Sequence, residues 1–105
     1  MNLLAGRRPG PGDEVEDVLA EAPGLSIRRI ASLAHATPEG EWYDQPEREW
    51  VALLAGRAVV EFEDGRRVAL WPGEWLDIPP RSRHRVAETD PDRPTVWLAV
   101  HHEPR

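Results

Sequence analysis

From Glu49 onwards the sequence consists of short stretches in which apolar and polar side chains alternate, and each stretch is closed by glycine or proline. In one of them Ala58, Val60 and Phe62 share a side and alternate with Val59 and charged residues. The Asp-Gly and Pro-Gly pairs between the stretches are typical of tight turns. A period of two does not form the apolar stripe of a helix, so the pattern predicts an all-β barrel or sandwich.

The same alternation assigns side chains to the inner and outer faces of the predicted strands. Val51, Leu53, Leu70, Ile78 and Val86 are among the residues predicted to point inward. On the last strand, "TVWLAVHH", parity places Val96, Leu98, Val100 and His102 inward and Trp97, Ala99 and His101 outward, unless a bulge exchanges the two sets.

Four tryptophans fall on the predicted outer face: Trp50, Trp71, Trp75 and Trp97. Exposing all four would leave an apolar area that is too large for a soluble monomer. The chain is therefore expected to form a homodimer.

The remaining sequence sets the domain organisation. With 105 residues there is room for one core, so we predict a single domain over 13–105, preceded by a flexible Gly/Pro-rich segment over 1–12. This segment is expected to be dispensable for folding, unless its two leucines cross to a partner subunit. "DEVEDVLAEA" leaves helix and strand open, whereas "LSIRRIASLAH" favours a strand with a possible irregularity.

Charge and composition exclude several classes of partner. The net charge of −6, with dispersed arginines and no lysine, disfavours nucleic acid and anionic lipid. The sequence has no cysteine, no apolar stretch that approaches the roughly 18 residues of a membrane span, and no secretory signal pattern at its N-terminus. These features indicate a cytoplasmic protein with no nucleic-acid or membrane partner.

Two spacings carry a family resemblance. "EWVALLAG" places Gly56 after Glu49 and six intervening residues, and "PGEWLDIPPRSRH" places Pro79 six positions after Gly73, with His84 beyond it. Both spacings resemble the motifs of the cupin family, and in particular those of small single-domain bacterial cupins, over roughly residues 42–102. The resemblance implies a double-stranded β-helix, the jelly-roll barrel, with a small-molecule pocket at one mouth.

The histidine pair that opens the first cupin motif is missing here. Counting back from Glu49, the second histidine position falls on Asp44 or Gln45, and the first falls on Trp42 or Tyr43. The resemblance implies a divalent-metal site with the ligands Asp44, Gln45, Glu49 and His84. A mixed oxygen and nitrogen set of this kind suits Mn²⁺, Fe²⁺, Ni²⁺ or Zn²⁺.

Considered alone, the residues leave other roles open. Asp44 and Gln45 are also typical of a turn, and a direct hydrogen bond between Glu49 and His84 would explain both without a metal. Tyr43 is the candidate for proton transfer. The further pocket candidates are Trp42, His101 and His102.

Two functions are consistent with these residues and with the resemblance. The first is a metal-dependent enzyme of the isomerase, dioxygenase or lyase type that acts on a small polar metabolite. The second is a non-catalytic module that binds or senses a small molecule without metal. A purely structural barrel is a third interpretation.

Overall fold

The computed structural model describes residues 1–103, and in that range it contains eight β-strands and no helix. The strands are β1 (Glu14–Ala22), β2 (Leu25–Ser32), β3 (Arg48–Ala55), β4 (Ala58–Phe62), β5 (Arg67–Leu70), β6 (Trp75–Ile78), β7 (His84–Thr89) and β8 (Thr95–His102). The all-β jelly-roll prediction is therefore confirmed. The last two residues of the predicted domain lie outside the described range. Within that range no helix is long and apolar enough to cross a membrane.

Two antiparallel sheets enclose the core. Five strands form one sheet in the order β1-β2-β8-β3-β6, and three form the other in the order β5-β4-β7. The buried apolar side chains between them are Val51, Leu53, Ala58, Val60, Phe62, Leu70, Ile78, Trp97 and Ala99. The inward faces predicted for β3 to β6 agree with this core.

The face assignment on β8 was wrong. Trp97 and Ala99 are 5% and 0% exposed and belong to the core, whereas Leu98 and Val100 lie half-buried on the other face. The alternation of β8 is apolar on both sides, so parity alone could not distinguish the faces. As a result His101, and not His102, shares the inner face with Trp97. Of the four tryptophans predicted on the outer face, three remain there.

The segment whose structure the sequence left open is a strand. β1 pairs antiparallel with β2, and a register shift lies between Val18 and Ala20, so the irregularity belongs to β1 rather than to β2. The pairing of β1 with β2 brings Glu14 and Glu16 to the cavity between the sheets, which both side chains line.

Gly56 closes β3 at a place where another side chain would not fit. Its φ is +78°, and a Cβ there would lie 2.5 Å from the hydroxyl oxygen of Thr95 on β8. The glycine of the first motif is thus explained by the close packing of β3 against the start of β8.

Candidate functional site

A cavity of about 170 Å³ lies between the two sheets. Both sheets contribute apolar and polar side chains to its walls. The lining residues are Glu14, Glu16, Ile30, Tyr43, Gln45, Glu49, Val51, Val60, Ile78, His84, Val86, Trp97 and His101. Apolar walls with a few polar groups are typical of small-molecule sites.

Glu49 joins the two histidines of the cavity wall. Its Oε2 lies 2.5 Å from Nε2 of His101, and its Oε1 lies 3.3 Å from Nε2 of His84. Glu49 and His101 face each other because they are directly paired in the β3–β8 register. All three side chains are at least 85% buried, so both carboxylate oxygens are held by imidazoles away from bulk water.

His84 is oriented from its other side. Its Nδ1 lies 2.7 Å from the carbonyl oxygen of Ser82, and this oxygen can only accept a hydrogen bond. Nδ1 therefore carries a proton, and Nε2 is directed at Glu49. The backbones of His84 and Tyr43 also exchange hydrogen bonds, which fix the start of β7 beside the loop that carries the predicted ligands.

The surroundings of Glu49 and His101 stabilise a charged pair. Burial opposes the ionisation of Glu49, but hydrogen bonds from His101 and His84 outweigh it and lower the pKa of Glu49 from 4.5 to about 2. The hydrogen bond to Glu49 raises the pKa of His101 above its usual 6.5, against the opposing effect of burial. The proton of this pair consequently resides on His101.

Tyr43 stands at the mouth of the cavity, with its ring centroid 5.6 Å from that of His84. Burial, followed by the negative charge of Glu14, raises the pKa of the Tyr43 phenol above 10.0. The hydroxyl is thus a protonated donor at neutral pH.

The structure separates the two neighbouring candidates of the loop. Gln45 lines the cavity, and its Nε2 is buried without a hydrogen-bond partner among residues 1–103. Asp44 does not line the cavity and instead forms an ion pair with Arg81 at 3.4 Å. Trp42 and His102 are likewise absent from the lining, and Nδ1 of His102 lies 3.0 Å from the carbonyl oxygen of Glu103.

The predicted metal ligands do not converge as one set. Over residues 1–103 no three His, Asp or Glu side chains are grouped so that they could hold a metal ion. Glu49 contacts a different imidazole through each oxygen, and Asp44 is paired with Arg81. The side chains of the site are therefore arranged to neutralise each other, which fits a metal ion poorly.

Sequence reasoning gave too little weight to three residues of the site. His101 was assigned to the outer face, and its signal was the pairing of β8 with β3 rather than any motif. Glu14 and Glu16 belong to no motif, and their signal is the spacing of two, which places them on one face of a strand.

Comparison with known proteins gives a family and several structural relatives. The model of the "Cupin domain" family matches residues 30–101. A crystal structure from Ralstonia eutropha JMP134, of a protein provisionally named a mannose-6-phosphate isomerase, is 46% identical, with a TM-score of 0.93 over 98% of this chain and 96% of that one.

More distant structures share the fold. A cupin superfamily protein from Desulfitobacterium hafniense DCB-2 is 14% identical, with a TM-score of 0.78 over 92% of this chain and 84% of that one. A protein of unknown function from Streptococcus pyogenes is 15% identical, with a TM-score of 0.81 over 100% of this chain and 87% of that one. No curated protein matches the sequence.

Proposed function

This chain belongs to the cupin family, and from that premise we propose that it binds a small, polar, unphosphorylated metabolite in its cavity and transfers a proton on it. The single observation that carries the proposal is the position of Glu49 between the imidazoles of His84 and His101 on the cavity wall. The imidazole of His101 can donate a proton to a ligand and take one back, as general acid–base catalysis requires, and the ionised Glu49 holds this ring in place. Tyr43 and Gln45 add two hydrogen-bond donors that would orient a polar ligand.

An isomerase-type reaction is consistent with these groups. The 46% identical relative is provisionally named a mannose-6-phosphate isomerase, and we take from that name the reaction type but not the phosphate. Such a reaction moves a proton between neighbouring carbon atoms, and a positioned base and acid can perform this step. We therefore propose a small hydroxycarbonyl compound as the substrate class.

The charges of the cavity argue against a phosphorylated ligand. No arginine or lysine is among its lining residues, whereas Glu14, Glu16 and Glu49 contribute carboxylates. Arg28 contacts the carboxylate of Glu16 at 3.3 Å but does not line the cavity. A phosphate group would be desolvated next to like charge without a cationic partner.

Binding can be tested on chelator-treated protein with a panel of small aldoses, ketoses and their phosphates. We expect an unphosphorylated compound to raise the melting temperature and to exchange its α-proton in D₂O. Glu49→Gln should slow that exchange by at least about 100-fold, because the acid–base imidazole of His101 loses the carboxylate that orients it and stabilises its charged form. Glu88→Gln, a surface change on β7, is the control. Preferential binding of the phosphates, or unchanged exchange in Glu49→Gln, would contradict the proposal.

A divalent-metal site formed by Glu49 and His84 with Gln45 is the second candidate, and Asp44 would have to leave its ion pair with Arg81 to take part. The observation that favours it is the hydrogen bond from His84 Nδ1 to Ser82, because metal-ligating histidines usually donate their other N–H in this way. Elemental analysis and melting curves with added Mn²⁺, Ni²⁺ or Zn²⁺ decide between the two. A metal-dependent gain in melting temperature that His84→Ala abolishes would establish the metal form, and its absence would leave the acid–base site.

We also propose a homodimer formed through the outer face of the five-stranded sheet. Trp50 and Trp75 stack there with ring centroids 6.0 Å apart, and Trp71 and Trp75 are 59% and 61% exposed. Burying them against a second copy would remove this apolar surface from water. Light scattering should give about twice the chain mass of 11.9 kDa, and a mass equal to one chain at micromolar concentration would refute the dimer.

A further inference from the structure

We infer that the protein has a second binding site, for a small oxyanion such as a phosphate or a carboxylate, on the outer face of the five-stranded sheet under the N-terminal segment. A cavity of about 440 Å³ lies there. It is lined by Leu4, Ala5, Gly6, Arg7, Arg8, Pro9, Arg29, Ala31, Ala55, Arg93, Pro94 and Val96. Four of these residues are arginines and none is acidic. The site is separate from the first cavity, because Ile30 of β2 lines one and its neighbours Arg29 and Ala31 line the other.

Arg29 is the strongest indication of an anion site. The residue is only 4% exposed, and its Nε and Nη1 donate to the carbonyl oxygens of Leu3 and Arg7 at 2.5 and 3.2 Å. These acceptors are neutral, so they satisfy hydrogen bonds but do not balance the charge. Within residues 1–103 the hydrogen bonds of the guanidinium are those of Nε and Nη1, which leaves Nη2 as a donor in a residue that lines the cavity.

The nearest carboxylate by strand register is used elsewhere. Asp17 of β1 lies opposite Arg29 in the β1–β2 pairing, but it forms its ion pair with Arg7 at 2.7 Å. Among the described residues, Arg29 has no ion-pair partner of its own. Burying a guanidinium without a counter-charge is costly, and an oxyanion in the cavity would supply that charge.

The other arginines surround the same space. Arg8 is exposed and forms no ion pair within residues 1–103, while Arg93 is 73% exposed and contacts Asp90 at 3.3 Å. Planar guanidinium groups bind phosphate and carboxylate oxygens through paired hydrogen bonds. An ion that entered this cavity would therefore meet the buried guanidinium of Arg29, the exposed Arg8, and the ion-paired guanidinium groups of Arg7 and Arg93.

Gly6 holds the segment against Arg29. A Cβ at this position would lie 2.6 Å from the central carbon of the Arg29 guanidinium, so the backbone passes directly over that group. The N-terminal segment thus forms the roof of the site, and its contacts with Arg29 count against the expectation that residues 1–12 are dispensable for folding.

Melting curves and calorimetric titrations with sodium phosphate and with sodium acetate, each against sodium chloride at equal ionic strength, test the site. We expect at least one of the two oxyanions to raise the melting temperature of the wild type beyond the effect of chloride. The double variant Arg8→Ala/Arg93→Ala should weaken its binding by at least about tenfold, as expected for the loss of charge-assisted hydrogen bonds. A response to phosphate alone or to acetate alone would identify the chemical class of the ligand.

Two controls keep the outcome specific. Arg83→Ala removes an exposed arginine that is paired with Glu63 near the other sheet, and it should bind as the wild type does. Glu49→Gln changes a residue of the first cavity, and calorimetric titration should show unchanged oxyanion binding in this variant. Equal responses to oxyanions and chloride, or unchanged binding in the double variant, would overturn the inference.

Discussion

Trp97→Ala should lower the free energy of unfolding by about 3–5 kcal/mol, the usual cost of removing a buried aromatic side chain. Trp97 is 5% exposed and packs in the core between the two sheets. Its removal leaves a void that the surrounding strands can fill only in part. Urea denaturation followed by circular dichroism measures the loss.

Trp71→Ala is the matched control, because Trp71 is 59% exposed and lies on the outside of the barrel. Measured at a concentration where light scattering gives a monomer, this variant should differ from the wild type by no more than about 0.5 kcal/mol. Equal losses in the two variants would contradict the inward position of Trp97.

The sequence predicts the buried face of a strand that has one apolar face, but not that of a strand that is apolar on both faces. On β4 the apolar Ala58, Val60 and Phe62 alternate with a face that includes Glu61, so polarity alone identified the buried side. β8 lies in the middle of the five-stranded sheet and is apolar on both faces. Its orientation is set by its pairing with β2 and β3, and that information is not local to the strand.

Glu49→Gln should lower the free energy of unfolding by roughly 3 kcal/mol at pH 5.5, because one pKa unit corresponds to about 1.4 kcal/mol. The pKa of Glu49 in the folded protein is about 2, compared with 4.5 for a free side chain. The unfolded chain therefore takes up the proton first as the pH falls. The wild type should lose this stability between about pH 5 and pH 2, whereas Glu49→Gln lacks it throughout.

His101, the partner of Glu49, sets the upper end of the pH range in which the pair stabilises the protein. The pKa of His101 is raised in the folded protein, so its contribution is complete below 6.5 and is lost as the pH rises through the folded value. The pair should stabilise the protein most between about pH 4.5 and 6.5. Denaturation midpoints measured from below pH 4.5 to above pH 6.5 give the profile, with Glu88→Gln as the control. A wild-type profile with the same acid slope as Glu49→Gln would show that the pair is not formed.

The candidate site was predictable only where a motif fixed its residues. The spacing to Gly56 and from Gly73 singled out Glu49 and His84, and both line the cavity. Counting along a loop could not determine which of its side chains points inward, so Asp44 and Gln45 were treated alike. His101 depended on the orientation of β8, which polarity did not reveal.

The most direct test of the acid–base site is an NMR pH titration of the His101 ring in chelator-treated protein. Glu49 is ionised and hydrogen-bonded to His101 in this account, so His101 of the wild type should titrate above 6.5. In Glu49→Gln the charge and the charge-assisted hydrogen bond are lost, and the pKa of His101 should fall. A wild-type His101 that titrates at or below 6.5, or at the same pH in both proteins, would contradict the account.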